Sequence, residues 1–317
     1  MRQSISDINL STAVLLLGFK RVDFLKKRLS ELSRNQQVPI VISIDGSDFS
    51  TERAVTDFLN EFVAQNPDMK ITYKIQNMNL GLARHVFKAI TEVLNDFEQI
   101  IVIEDDIILS ENFISNMLGG FEIMNRSEDI GLIGGFSMFP LKTMFFLDPK
   151  WRKSIYFPAW GWGINREVWK DFQLELPPNF EEILSHSRLW QSQSLFRKKM
   201  WCYRFQKVAN ANPYTWDYQM LYLLFRRNLH TLLTTSRISD NEGFESVFAT
   251  NTKNKRPRWM GREMVFNGTV KKQVSKLSRL YQVGDAYTIG GDTRIVKAIS
   301  QISQAFKFSI RKNRKLT

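Results

Sequence analysis

Three consecutive carboxylates, Glu104-Asp105-Asp106, stand between the apolar runs Ile100-Ile101-Val102-Ile103 and Ile107-Ile108-Leu109. Flanked in this way they cannot all lie far from the interior. Crowding them there costs on the order of several kcal/mol in desolvation and mutual repulsion, unless their pKa values rise. A divalent cation removes that cost, because hard oxygen ligands suit Mg²⁺ or Mn²⁺. Such a cation also bridges diphosphate oxygens and neutralises charge on a departing diphosphate. The triplet is therefore expected to be a cation site. The alternative is a solvated turn whose acids favour the dipole of the following helix.

The elements around the triplet decide between these readings. Ala13-Val14-Leu15-Leu16-Leu17 is almost wholly apolar, as a strand covered on both faces must be. Val22, Leu25, Leu29 and Leu32 recur at helical spacing within 22–34. Strands are expected at 39–44, 70–75, 99–103 and 130–133, with helices at 51–64, 83–94 and 111–124, the last capped by Ser110. Strand–helix alternation of this kind predicts a mostly parallel α/β sheet with helices on both faces. Ligands of such sheets bind outside the carboxyl ends of the strands, where the triplet falls. Gly18 to Arg21, Asp45 to Asp48 and Asn77 to His85 fall there too. Beyond Phe136 the alternation stops; 139–179 is rich in aromatics, Pro and Gly, 186–207 reads as a polar helix, 217–227 as another, and 226–236 ends in a strand.

Within these strand ends several residues have two readings. Arg84 opens a helix, where a cation beside free backbone N–H groups suits a phosphate or nucleotide; otherwise it is a surface arginine. His85 reads as packing, and Lys20 and Arg21 as basic residues that face the ligand or merely solvent. Trp160 and Trp162, in Ala159-Trp160-Gly161-Trp162-Gly163, either stack on a sugar face of donor or acceptor or fill the core. Asp217 and Thr215 are both candidate caps for the helix that follows them.

Taken together in this order, Ile44-Asp45-Gly46, Ala83-Arg84-His85, Glu104-Asp105-Asp106, Gly161-Trp162 and Trp216-Asp217 resemble the N-acetylglucosaminyltransferase I type of GT-A fold glycosyltransferase over about 12–248. That type is similar in carrying Glu-Asp-Asp where other GT-A enzymes carry Asp-X-Asp. The resemblance implies a nucleotide-diphosphate sugar, with a lean to UDP, and a Mn²⁺ or Mg²⁺ ion held by Asp106. It implies that Glu104 and Asp105 hold the ribose and that Asp45 accepts from the uracil imide. It implies an inverting transfer with Asp217 as general base and Trp216 shielding it. The acceptor would be a glycan or lipid-linked hydroxyl, as in surface polysaccharide synthesis. Asn241-Glu242-Gly243-Phe244 resembles the family's Asn-X-Gly-Phe loop, but Ala249-Thr250-Asn251-Thr252 lacks the histidine of a Thr-His-Thr-like step. A second protein ligand for the metal is therefore not expected.

Composition sets the remaining expectations. The 317 residues suffice for a full core, and three segments are expected: a nucleotide-sugar-binding α/β domain over 1–140, an acceptor and catalytic-base region over 141–250, and a basic extension over 251–317. The extension holds 16 Lys and Arg against 3 Asp and Glu, so it carries +13 of the net +12 and leaves the rest at −1. That balance argues against a nucleic-acid cleft and toward an anionic surface docking at one end. Ile295, Ile299, Ile302, Phe306 and Ile310 form one stripe of an expected helix over 292–311; that helix docks on anionic membrane or packs on the body. One cysteine, Cys202, and the lack of a signal-like start or transmembrane-length run fit a cytoplasmic protein, peripheral on the inner face of the membrane. A nucleotidyltransferase would show a Gly-rich run at Gly18-Phe19-Lys20-Arg21 and does not; a non-catalytic nucleotide-sugar-binding partner is the other alternative.

Overall fold

The computed structural model describes residues 11–34, 38–137, 149–244, 256, 265–275 and 285. The strands are β1 (Thr12–Gly18), β2 (Ile40–Ile44), β3 (Ile71–Ile75), β4 (Gln99–Glu104), β5 (Ile107–Leu109), β6 (Ile130–Gly134), β7 (Lys150–Ser154), β8 (Trp162–Asn165), β9 (His230–Thr234), β10 (Ser239–Asn241) and β11 (Lys271–Val274). The helices are α1 (Val22–Leu32), α2 (Phe49–Gln65), α3 (Leu82–Asp96), α4 (Phe113–Met124), α5 (Arg166–Trp169), α6 (Phe180–Ser185), α7 (Arg188–Gln191), α8 (Leu195–Ala209) and α9 (Asp217–Arg227).

Nine of these strands form one sheet, ordered β11-β7-β9-β6-β8-β4-β1-β2-β3, and β5 pairs antiparallel with β10 as a separate ribbon. The expected mostly parallel α/β architecture is present: β1 runs parallel to β2 and β4, and β2 to β3. Every residue of β1 is buried, which is why it reads as an unbroken apolar run rather than an alternating one. Helix α1 turns Leu25, Leu29 and Leu32 inward at the spacing the sequence displays. Helix α2 starts where Asp48 accepts from the Thr51 amide at 3.0 Å.

Between β1 and β4 the order of connection reverses: the chain goes from β1 outward through β2 to β3, then returns to β4 on the other side. The register pairs Leu17 with Glu104 and Gly18 with Ile44, so three carboxyl strand ends meet at one level. A reversal of this kind opens a crevice, and that is where an α/β sheet receives its ligand.

Four expectations differ in detail. Trp162 and Gly163, in the aromatic stretch 159–163 for which no strand was expected, belong to β8, which inserts antiparallel between β4 and β6. Helix α4 begins at Phe113 after Asn112, with no side-chain cap, and the buried Ser110 hydroxyl makes no hydrogen bond among the described residues. The expected 186–207 helix is broken in two, because Ser194 takes an extended backbone and accepts from the Arg197 amide at 3.4 Å to start α8. The sheet runs across the boundaries at 140 and 250, drawing β7, β8 and β9 from the second segment and β11 from the third. The expected helix over 292–311 and the 249–252 segment lie outside the described residues.

Candidate active site

The crevice at the β1–β4 reversal is a cavity of about 730 Å³. The three strand ends supply Gly18 to Arg21, Asp45 and Glu104 to Asp106, and the opposite wall is Trp160, Trp201, Arg204 and Pro213 to Tyr218. The residues that resemblance and position had singled out therefore divide into those that meet here and those that do not. Asp45, Glu104, Asp105, Asp106, Trp160, Trp216 and Asp217 line one cavity. Arg84 does not: the phase of α3, fixed by buried Ala83, Val86, Ile90 and Val93, turns it to solvent and gives the cavity His85 instead. Trp162 does not either. Its strand position, opposite Val102 and Gly134, buries it fully, and its ring stacks on Trp216 with centroids 5.1 Å apart and planes 24° apart. It thus backs a wall residue rather than touching a ligand.

Backbone geometry fixes the acidic triplet. The Asp105 amide donates to the Leu17 carbonyl at 2.9 Å, which prolongs the β1–β4 ladder by one step beyond Glu104. Asp105 and Asp106 are buried. Burial, and then the charges of Asp106 and Asp105, push Glu104 up to about 8, with Asp217 adding to the same effect and Arg21 opposing it. Burial likewise raises Asp105 to about 7, against the pull of Arg21. Arg21 is the counter-charge: one guanidinium nitrogen donates to Asp106 Oδ2 at 2.9 Å and another to Asp105 Oδ1. Of the two readings the sequence left it, facing the ligand or facing solvent, the cavity has the first, and its side chain is only 15% exposed. The signal was available in the chemistry, since adjacent acids of which two are buried require a cation.

One guanidinium against three carboxylates leaves room for a second cation, and the donor set fits one. Asp106 Oδ1 is buried and makes no hydrogen bond among the described residues. A buried, unpaired carboxylate oxygen is costly unless a ligand meets it, and a hard cation does so. Among the described residues no group of three or more His, Cys, Asp or Glu is arranged to enclose a metal ion. Asp106 thus fits an ion completed by ligand oxygens and water.

A short segment after β10 closes over the triplet. The Glu242 amide donates to the Asp106 carbonyl at 2.9 Å, and Glu242 Oε1 accepts from buried Arg28 at 2.9 Å. Arg28 also donates to the Ile107 carbonyl at 2.5 Å, so one side chain ties α1 both to the residue that follows the triplet and to the segment over it. At Gly243 a β-carbon would collide with Asp106 Oδ2. Next to it Phe244 packs edge-on against Trp160, with centroids 5.8 Å apart.

Asp45 is held by backbone amides. Its Oδ1 accepts from Gly46 at 3.0 Å and Leu80 at 2.8 Å, and its Oδ2 from Gly81 at 3.0 Å. Two oxygens offer about four lone-pair positions, so about one is left for a ligand. The carboxylate thereby shapes the turn in which Gly81, at φ +76°, starts α3. His85 sits beneath, its Nε2 2.9 Å from Ser43 Oγ; burial lowers its pKa, with Asp45 opposing.

Across the cavity Asp217 is the first residue of α9. Neither it nor Thr215 caps the helix: Trp216 occupies the cap position with no side-chain bond to the backbone. Instead the Thr215 hydroxyl donates to Asp217 Oδ1, which also accepts from the Tyr218 amide at 3.0 Å. Trp216 packs in one cluster with Trp162 and Phe157, the latter 5.4 Å away and edge-on. The base of the wall is therefore rigid aromatic packing, with one carboxylate presented at its rim.

The GNT-I family model matches residues 1–191, more than half of the chain. The chain is 23% identical over 177 residues to an alpha-1,3-mannosyl-glycoprotein 2-beta-N-acetylglucosaminyltransferase of Arabidopsis thaliana; the match covers 52% of this chain and 40% of that protein. The chain thus spans well under half of that relative's length. Similar solved structures include a mannosyltransferase from Pyrobaculum calidifontis in complex with GDP-Man and Mn²⁺, at 13% identity and a TM-score of 0.38, covering 50% of this chain and 46% of that one. A 4-diphosphocytidyl-2C-methyl-D-erythritol synthase from Anaerococcus prevotii DSM 20548 scores the same 0.38 at 10% identity, covering 74% and 90%. Scores this low leave the site to be argued from its own geometry.

Proposed function

The chain belongs to the GNT-I family, and from that premise we propose that it is an inverting glycosyltransferase. It moves a sugar from a nucleotide-diphosphate donor, UDP-linked, to a hydroxyl of a glycan or lipid-linked acceptor. The observation that carries this reading is the single cavity in which the acidic triplet faces Trp216 and Asp217.

The residues divide the work as follows. Asp45 takes the base of the nucleotide with its remaining acceptor position. Glu104 and Asp105 hold the ribose. Asp106 would hold Mn²⁺ or Mg²⁺, and a bound cation of this kind supplies charge neutralisation for the departing diphosphate. Arg21, already seated between Asp105 and Asp106, adds a fixed positive charge beside the same group. Asp217 removes the acceptor hydroxyl proton as that oxygen bonds to the anomeric carbon and the carbon–diphosphate bond breaks. Thr215 and the Tyr218 amide fix Asp217 Oδ1, leaving Oδ2 to take the proton. Attack from the Asp217 side, opposite the diphosphate, inverts the anomeric centre. Trp160 offers a face on which a pyranose stacks, and Trp216, buried against Trp162 and Phe157, backs the wall beside Asp217.

A cytoplasmic site of action, with the basic extension against the inner face of the membrane, belongs to the same proposal. It is supported by Cys202 being the sole cysteine and by the charge of 251–317. No helix among the described residues is long and apolar enough to cross a membrane.

The test is incubation of the purified chain with UDP-sugars and Mn²⁺, followed by NMR of the released or transferred sugar. An α-linked donor should give UDP and a β-configured product. Release of pyrophosphate would point to nucleotidyl transfer instead, and tight UDP binding without turnover to a non-catalytic binding partner.

A further inference from the structure

Helix α8 has an outer face that the proposed reaction does not use. Its inward residues, Trp201, Phe205 and Val208, are buried in the aromatic core beside α9. Opposite them, Phe196, Lys199, Tyr203 and Lys207 recur at spacings of three and four, which places them in one stripe. Phe196 is 61% exposed and Tyr203 63%, and Leu195 at the head of the helix is 69% exposed. Large apolar side chains this open, gathered on one helix, mark an interaction surface rather than scattered exposure.

The charge on this helix has one sign. Between Leu195 and Ala209 it carries Arg197, Lys198, Lys199, Arg204 and Lys207, and no Asp or Glu. The Lys207 ammonium lies 4.7 Å from the Tyr203 ring centroid. Tyr214, 53% exposed, also lines the catalytic cavity. Arg204, on the flank of α8, lines that cavity as well. The basic aromatic face and the cavity therefore share an edge.

We propose that this face of α8 docks on an anionic lipid bilayer. Leucine and phenylalanine enter the acyl boundary, tyrosine stands at the headgroup level, and the lysines reach anionic headgroups along their aliphatic stems. The complementary charge is negative, and each basic residue near such a surface adds to binding. A nucleic-acid backbone would match the lysines but would leave Leu195 and Phe196 in water. The geometry holds the acceptor-side wall, at Arg204 and Tyr214, against the membrane. An acceptor anchored in lipid then enters the cavity from the plane where it resides; this last consequence rests on the proposed transferase reading, whereas the docking itself does not.

The experiment uses the full chain with Phe196→Cys and Cys202→Ser, labelled at position 196 with a polarity-sensitive fluorophore. Vesicles contain either phosphatidylcholine alone or phosphatidylcholine with phosphatidylglycerol. The expected result is a blue shift and intensity gain on the anionic vesicles only, reversed by high salt. In parallel, the unlabelled Leu195→Ser/Phe196→Ser variant should sediment with anionic vesicles about tenfold less or weaker still, while its thermal shift with UDP and Mn²⁺ equals that of wild type. A fluorophore indifferent to vesicles, in a chain that still sediments with them, would overturn the proposal in favour of contact through another segment. A blue-shifted fluorophore before vesicles are added would overturn it in favour of a face covered by this chain or a second copy. Salt-insensitive binding, or none, would do the same.

Discussion

Gly243 packs against the Asp106 carboxylate so closely that no side chain fits between them: a β-carbon there would lie 2.9 Å from Asp106 Cγ and closer still to Oδ2. The Glu242 amide meanwhile donates to the Asp106 carbonyl at 2.9 Å, so the same short segment grips the residue from the backbone side. Gly243 thus sets where the proposed cation ligand stands. Gly243→Ala should displace Asp106 and weaken Mn²⁺-dependent nucleotide binding by about tenfold, or about 1.4 kcal/mol. Calorimetry with UDP at fixed Mn²⁺ checks this, and unaltered affinity would detach Gly243 from the site.

Asp217→Asn keeps the shape of the side chain and its contact with Thr215 but removes the proposed base. Turnover should fall about 10²- to 10⁴-fold, with donor affinity close to wild type. Steady-state kinetics beside donor titration separates the two quantities. Near-normal turnover in a folded variant would move the base elsewhere.

Asp45 serves the turn as well as the proposed nucleotide contact. Asp45→Ala strips the Gly46, Leu80 and Gly81 amides of their acceptor, and should cost about 2–4 kcal/mol of stability even without nucleotide. Urea unfolding measures it. A loss confined to nucleotide binding would instead mark Asp45 as a ligand contact alone.

The parallel half of the sheet was legible because its physics is local. Strands buried on both faces read as apolar runs, and α1 and α3 repeat their buried residues at helical spacing. The triplet was legible because three acids inside an apolar stretch demand an explanation. Strand β8 was not, since four residues between the turn at Gly161 and helix α5 show neither alternation nor length, and only its antiparallel neighbours define it. Arg84 and His85 exchanged roles for a related reason: one residue along a helix is a rotation of about 100°, too fine for a boundary read from sequence. Arg21 and Gly243 acquire meaning only through Asp106, which is 85 and 137 residues away along the chain.

His85 offers a pH test at the floor of the nucleotide pocket. Burial holds its pKa below the ordinary 6.5, with Asp45 pulling the other way. A histidine depressed in the folded state adds stability above the unfolded value, and that contribution is lost as pH falls below about 6.5. The chain has three histidines, so the His85 imidazole is assignable by comparison with His85→Gln. Its NMR titration midpoint should lie below 6.5, and a midpoint at or above that value would contradict the buried, neutral ring.

The most direct measurement is thermal unfolding of wild type and Asp106→Ala with a panel of nucleotide sugars, each with and without Mn²⁺. Binding to the folded state raises the midpoint. The account predicts a rise with UDP-sugars that requires Mn²⁺ in wild type and is lost in Asp106→Ala. A panel in which no nucleotide shifts wild type, or in which Asp106→Ala keeps the full Mn²⁺-dependent rise, would contradict it.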